Sequence, residues 1–222
     1  IYKDYTYLFS IDGERYYLVE KISREPLSEF ALENTEIFRR ADPQYRAFAG
    51  ITGYQLYIWY RDHKYCGRCG HLLEQDGKER MLRCRECGNM VYPKICPAVI
   101  IGLTDGSRIL MSKYAGRNYK KYALLAGFAE IGETLEETVK REVMEEVGLK
   151  VKNIRYYKSQ PWSFSDTLLM GFYCDLDGSD EITLDREELA LAEWFGREEI
   201  PVEPSRDSLT NEMIIKFKNG EV

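Results

Sequence analysis

At 222 residues with 44% hydrophobic side chains, the chain can bury one sizeable core and carry a small module or two besides. No apolar run approaches the roughly 18 to 20 residues of a membrane span, and the opening IYKDYTYLFS carries neither a basic flank nor a cleavage pattern, so the expectation is a soluble, cytoplasmic protein. A net charge of −6 argues against broad, sequence-independent nucleic-acid affinity as the main activity, while leaving room for a local RNA site.

Residues 1–62 read as a small α+β unit. YTYLFSI and RYYLVEKI alternate in part and flank Asp12-Gly13, a hairpin turn. SEFALENTEIFRR then reads as one helix and YQLYIWYRDHKY as a second, aromatic one. The Tyr and Trp residues here serve a core or an interface more readily than a ligand cage.

Residues 63–93 change character. Cys66 and Cys69 form one C-x2-C pair and Cys84 and Cys87 a second, with fourteen residues between, and each pair is followed by a glycine, Gly70 and Gly88. That is zinc-ribbon spacing, with the glycines letting the backbone turn beneath a metal. Four thiolates close a tetrahedral Zn2+ and leave no position for water, so the site is expected to be structural. Two disulfides are the competing reading, disfavoured in a reducing compartment; redox-active pairs would want a thioredoxin-like βα context, which is missing. His71, next to the first pair, is a spare ligand at most. Cys96 and Cys174 lie in apolar, strand-like runs and read as small buried hydrophobes.

Tyr92-Pro93 closes that module, and CPAVIIGL and SRILMSK follow as two strands turning at Asp105-Gly106. KYAGRNYKKY is basic and aromatic, either a solvated loop or a contact for a diphosphate. Next comes GFAEIGETLEETVKREVMEEVGL, residues 127–149. Thr134 with Glu137 makes a capping box that starts a helix, and Gly148 ends it. Leu135, Val139, Val143 and Val147 recur every four residues as an apolar stripe. Glu142 and Glu146, one turn apart, share the neighbouring face with Glu145 beside them. Like charges that close repel, which suits a hard cation such as Mg2+ or Mn2+; the bland alternative is a solvated acidic face paired with Lys and Arg. Arg141 can pair with Glu133 and hold the loop to the helix.

Gly127, Glu133, Arg141, Glu142, Val143, Glu145, Glu146, Gly148 and Leu149 fill the pattern G-x5-E-x7-R-E-U-x-E-E-x-G-U, with U a bulky aliphatic residue. The stretch resembles the Nudix box. Downstream, Ser159-Gln160-Pro161-Trp162-Ser163-Phe164-Ser165-Asp166-Thr167 resembles the S-Q-P-W-P-F-P-x-S array of the NADH pyrophosphatases within that family. Ser stands for Pro at 163 and 165 and Thr for Ser at 167, which loosens a loop that the family stiffens with proline. TLLMGFYC reads as a strand. LDREELALAEWF matches the family's E-L-x-x-A-x-W segment, which makes Glu188 a further metal ligand by resemblance, with Glu187 the competing choice. SLTNEMIIKF is the closing helix, with Met213, Ile214 and Phe217 toward the core.

The resemblance covers about residues 60–222, and the first 62 residues are weakly similar to the degenerate N-terminal domain of the same enzymes. It implies an α+β chain in three parts: N-terminal domain 1–62, zinc ribbon 63–93, and over 94–222 a Nudix α/β/α sandwich with a mixed sheet. It further implies hydrolysis of the diphosphate of NADH or NAD to NMNH or NMN plus AMP. By resemblance Mg2+ or Mn2+ is held by Glu142, Glu145, Glu146, Glu188 and the carbonyl of Ala126, and one of these carboxylates is the general base. Tyr92 and Phe128 stack on a base, the array from Gln160 to Thr167 selects the dinucleotide, and the enzyme is a homodimer. Removal of NAD caps from RNA is the rival substrate reading. A non-catalytic, zinc-ribbon RNA-binding protein is the rival class, against which the complete set of box carboxylates argues.

Overall fold

The computed structural model describes residues 5–20, 31–116, 120–205 and 208–222. They fall into two compact units, one of residues 1–95 with 163–166, the other of residues 96–162 with 167–222.

In the first unit β1 (Thr6–Ile11) and β2 (Glu14–Leu18) form the expected antiparallel hairpin through Asp12-Gly13, both in the left-handed region. The helix expected over SEFALENTEIFRR does not form among its described residues, and 28–30 lie outside them. Only a 3-10 turn spans Thr35–Arg39, because the Asn34 side chain accepts the Glu36 N–H and closes a local turn instead. The aromatic helix is longer than expected: α1 runs Gln44–Asp62, starting ten residues before YQLYIWYRDHKY. Gly50 and Gly53 lower helix propensity and obscure its first half, yet Gly50 is required, since a methyl group there would overlap the Phe38 ring. Leu8, Leu56 and Trp59 share a core with Leu82 of the cysteine module, so the two sequence segments fold as one unit. That module is a three-stranded sheet of β3 (Leu73–Gln75), β4 (Leu82–Cys84) and β5 (Met90–Val91).

The second unit is built on a six-stranded mixed sheet. Its strands are β6 (Cys96–Asp105), β7 (Arg108–Tyr114), β8 (Leu125–Phe128), β9 (Val151–Trp162), β10 (Thr167–Leu176) and β11 (Leu189–Gly196). The order is β11-β7-β6-β10-β9, with β6 and β10 parallel and β8 paired to the first half of β6. Alternation along β6 sends Val99, Ile101 and Leu103 to one face, against Val139, Val143 and Val147 of α2 (Leu135–Val147). Ile100 faces the other way, with Met213, Ile214 and Phe217 of α3 (Leu209–Lys218). The unit is therefore the expected α/β/α sandwich. Each fully buried aliphatic side chain contributes about 2 kcal/mol, and both faces are packed with them. Among the described residues no helix is long and apolar enough to cross a membrane.

Candidate active site and metal centre

The α2 helix is set as its sequence dictates. The Thr134 hydroxyl accepts the Glu137 N–H at 3.2 Å, and the Glu137 carboxylate accepts the Thr134 N–H at 2.8 Å, completing the capping box. Gly148 terminates it at φ 69°. Val139, Val143 and Val147 are buried against the sheet, and so are two of the acids: Glu142 is 8% exposed and Glu146 2%. Glu145 is exposed, its side chain 58% accessible. The face expected beside the stripe thus lies largely inside the fold.

Gly127, near the end of β8, passes so close to Glu142 that a methyl group there would overlap the carboxyl carbon and both oxygens. The glycine that opens the box is explained by this cradle. Burial pushes the Glu142 carboxyl upward; the Arg141 guanidinium opposes that rise, while the charges of Glu145 and Glu188 add to it. The influence of Glu188 follows from the backbone. Thr183 N–H donates to the Val147 carbonyl at 2.9 Å and Asp185 N–H to that of Glu146 at 2.9 Å, so the segment leading to Glu188 is sewn to the end of α2. The Glu188 carbonyl accepts from Ala115 N–H at 2.8 Å; Glu187 and Glu188 are both exposed turn residues, and it is the charge of Glu188 that acts on Glu142. Ala126, one residue before the cradle, is half-buried in β8 opposite Ile100.

Arg141 spends all five guanidinium donors. Nε and one terminal nitrogen grip Glu133 at 2.6 and 3.0 Å, and the same nitrogen reaches the Phe128 carbonyl at 2.9 Å. The other donates to Glu142 and to Glu145, both at 2.8 Å. The pairing with Glu133 is as expected; the bridge between two box carboxylates goes beyond it. Glu133 also accepts from Glu130 N–H and the Thr138 hydroxyl, and Arg141 foremost holds its carboxyl down at about 2. Phe128, at the end of β8, is 54% exposed.

The cysteine centre has different geometry. The Sγ atoms of Cys66, Cys69, Cys84 and Cys87 lie within 4.8 Å of one another, the one such group of metal-ligating side chains among the described residues. Three of their separations, Cys66–Cys87 at 3.6 Å and Cys69 to Cys84 and to Cys87 at 3.4 Å, approach the roughly 3.8 Å edge of a tetrahedron with Zn–S near 2.3 Å. None is in a disulfide. The two knuckles share one backbone pattern: Gly70 N–H to the Cys66 carbonyl and Gly88 N–H to that of Cys84, with both glycines at positive φ. Burial opposes ionisation of Cys66, but hydrogen bonds led by the Arg68 N–H outweigh it and bring the thiol to about 6. His71 enters through its backbone: its carbonyl accepts the Cys66 N–H at 2.7 Å, and its N–H donates to the Cys69 sulfur. Cys174 is fully buried, which pushes its thiol up to about 12.

The array is not the loop expected. Ser159 to Trp162 are the end of edge strand β9, Thr167 starts β10, and only 163–166 turn, with Asp166 left-handed at φ 56°. Pro161 is tolerated because an edge strand need not donate on both sides. Ser163 and Thr167 are buried, Trp162 and Phe164 half-buried, Ser165 exposed. The ring of Phe164 carries the Arg39 guanidinium at 4.2 Å, and Asp166 faces Lys94 at 3.8 Å. Tyr92 is 53% exposed and donates its hydroxyl to Glu79 at 2.9 Å. Glu79 had no motif to flag it, since its partnership is made across the cysteine module's hairpin. Of the basic segment KYAGRNYKKY, residues 117–119 lie outside the described residues; Lys113 sits over the Tyr122 ring at 4.1 Å.

The NUDIX domain pattern matches residues 94–215, and the chain belongs to that family. The NADH pyrophosphatase zinc ribbon domain matches residues 61–92. Among relatives, the NAD-capped RNA hydrolase NudC of Erwinia tasmaniensis is 41% identical over 162 residues, 73% of this chain and 62% of that protein. NudC of Klebsiella pneumoniae (strain ATCC 700721) is 40% identical over 174 residues, 78% of this chain and 66% of the relative. The chain thus spans under two thirds of the length of such relatives. A crystal structure of a NUDIX hydrolase from Nitrosomonas europaea shares the fold, with TM-score 0.60 and 24% identity over 71% of this chain and 92% of that one.

Proposed function

We propose that the chain is a hydrolase of the NAD diphosphate bond, acting on NADH or NAD to give NMNH or NMN plus AMP. The observation that carries this reading is the Gly127 cradle, which draws a buried Glu142 onto β8 beside a second buried acid, Glu146, on α2. Two acids sunk into a packed helix face are costly unless cations or positive side chains compensate them. Arg141 offsets part of that charge, and oxygen donors on facing elements fit a hard cation.

Glu142, Glu145, Glu146, Glu188 and the Ala126 carbonyl are the proposed ligands of Mg2+ or Mn2+. When bound, such an ion neutralises the diphosphate and acidifies water. The chain's own part is to hold the carboxylates through Arg141, to accept the water's proton on one of them, and to stack a base on Phe128. The ribbon cysteines Cys66, Cys69, Cys84 and Cys87 are proposed to hold one structural Zn2+. Tyr92 is proposed as a base-stacking residue contributed to a second copy in a cytoplasmic homodimer. Gln160, Pro161, Trp162, Ser163, Phe164, Ser165, Asp166 and Thr167 are proposed to select the dinucleotide. The functional division is 1–62, 63–93 and 94–222, although residues 1–95 fold together.

NAD-capped RNA is a second substrate reading, favoured by the names of the relatives NudC. The bond cleaved is the same. Turnover of NADH, NAD and NAD-capped RNA, side by side with Mg2+, tests both readings. AMP or a 5′-monophosphate RNA is the expected product, and no turnover of any of the three overturns the proposal.

A further inference from the structure

We propose that Asp185 is a positioning residue: its carboxylate and backbone close the turn that sets Glu188 against the acids of α2. This rests on the hydrolase reading above, in which Glu188 is a metal ligand from outside the helix.

The last four carbonyls of a helix find no donor within it, and in α2 two of them are met from the connection between β10 and β11. Asp185 N–H donates to the Glu146 carbonyl and Thr183 N–H to that of Val147, both at 2.9 Å. The residue that bonds the backbone of one buried acid thus lies on the approach to the next acid. The turn is then closed around Glu188. Asp185 Oδ1 accepts the Glu187 N–H at 2.8 Å, the local turn that an aspartate side chain makes with the backbone two residues on. The Asp185 carbonyl accepts the Leu189 N–H at 2.9 Å, and the Glu188 carbonyl accepts the Ala115 N–H at 2.8 Å. Leu189 is 1% exposed and packs in the same core as Val143 and Val147. Glu188 itself is exposed, so its place comes from these bonds on either side of it and not from burial. The result is felt on α2, where the charge of Glu188 helps to push the Glu142 carboxyl upward.

Asp185 therefore spends its N–H, its carbonyl and one carboxylate oxygen on the two ends of a single short turn. Its side chain acts as a hydrogen-bond acceptor, and its charge is dispensable. Asparagine keeps an acceptor oxygen and forms the same local turn; alanine keeps the two backbone bonds and loses the side-chain one. A carboxylate that touched the cation itself would behave differently, since asparagine would lack the charge such a ligand supplies.

The test measures Mn2+ binding to the full chain by electron paramagnetic resonance, with NADH hydrolysis followed in parallel. It compares Asp185→Ala, Asp185→Asn, Glu188→Gln and the double variant Asp185→Ala with Glu188→Gln. Asp185→Ala is expected to weaken Mn2+ binding by about three- to tenfold, the range one hydrogen bond supplies, and Asp185→Asn to restore it. In the Glu188→Gln background Asp185→Ala is expected to cost nothing more, because its effect passes through Glu188. Unchanged Mn2+ binding in Asp185→Ala overturns the proposal. So does a loss that adds in full to that of Glu188→Gln, which would make Asp185 act elsewhere, and so does a loss that Asp185→Asn shares, which would make its charge the active feature. A wild-type chain that binds Mn2+ but leaves NADH intact would refute the hydrolase reading while leaving the positioning measured; one that binds no Mn2+ would overturn both.

Discussion

The two candidate metal centres differ in how finished they are. The four cysteines stand within 4.8 Å of one another, each knuckle turned by a glycine at positive φ. On α2 the carboxylates are held apart: Glu142 is cradled on Gly127, Glu145 is exposed, and Arg141 donates to both. A site that only binds gains from being preassembled, because no position has to stay free. On the proposed reading, a site that admits a diphosphate and water holds its acids in place without closing them on one another, and Arg141 is the tether.

Breaking the cysteine centre should have the largest effect. Cys84→Ala removes one of four ligands from a small module, and zinc binding in such modules is worth on the order of 10 kcal/mol of folding. Loss of zinc by elemental analysis and a low-temperature melting transition are expected, with the box carboxylates unchanged. Full zinc content in this variant would place the metal elsewhere.

Next in size is the tether. Gly127→Ala forces the Glu142 carboxylate off its cradle, and Arg141→Lys cannot reproduce a five-donor fork. Both should lower Tm and depress hydrolysis, Gly127→Ala more, as read by calorimetry and initial rates. A wild-type Tm and rate for both would mean that the carboxylates do not need holding.

Acid pH sharpens the same point. Arg141 depresses the Glu133 carboxyl to about 2, so its contribution to stability is fully present above the ordinary value near 4.5 and is lost as pH falls through about 2. Between those limits the wild type should lose stability faster than Glu133→Gln, measured as Tm against pH; parallel curves would remove Glu133 from the tether. The smallest effect is at the helix start, where Thr134→Ala should cost about 1 kcal/mol through the lost cap, measured by chemical denaturation.

The features legible in the sequence were those that depend on near neighbours. The α2 start and stop, its apolar stripe, the cysteine knuckles and the closing helix each follow from residues within a few positions of one another, and each stands where expected. What escaped depends on distant partners. The first half of α1 was hidden because Gly50 answers to Phe38, outside the helix. The array looked like a loop because proline breaks interior strands, and the edge position of β9 that tolerates it is a property of the whole sheet. The depth of Glu142 and Glu146 was also invisible, since helical spacing places them beside the stripe and only the approach of β8 shows how far they are buried.

The central claim is that the acids of α2 perform the chemistry. It is tested most directly by kcat for NADH hydrolysis with Mg2+ in Glu146→Gln against Glu136→Gln, the second lying exposed on the same helix. The account predicts a loss of about a hundredfold or more for Glu146→Gln, the scale of one general-base or metal-ligand carboxylate, and little change for Glu136→Gln. Equal rates in the two variants, or wild-type activity in Glu146→Gln, would contradict it.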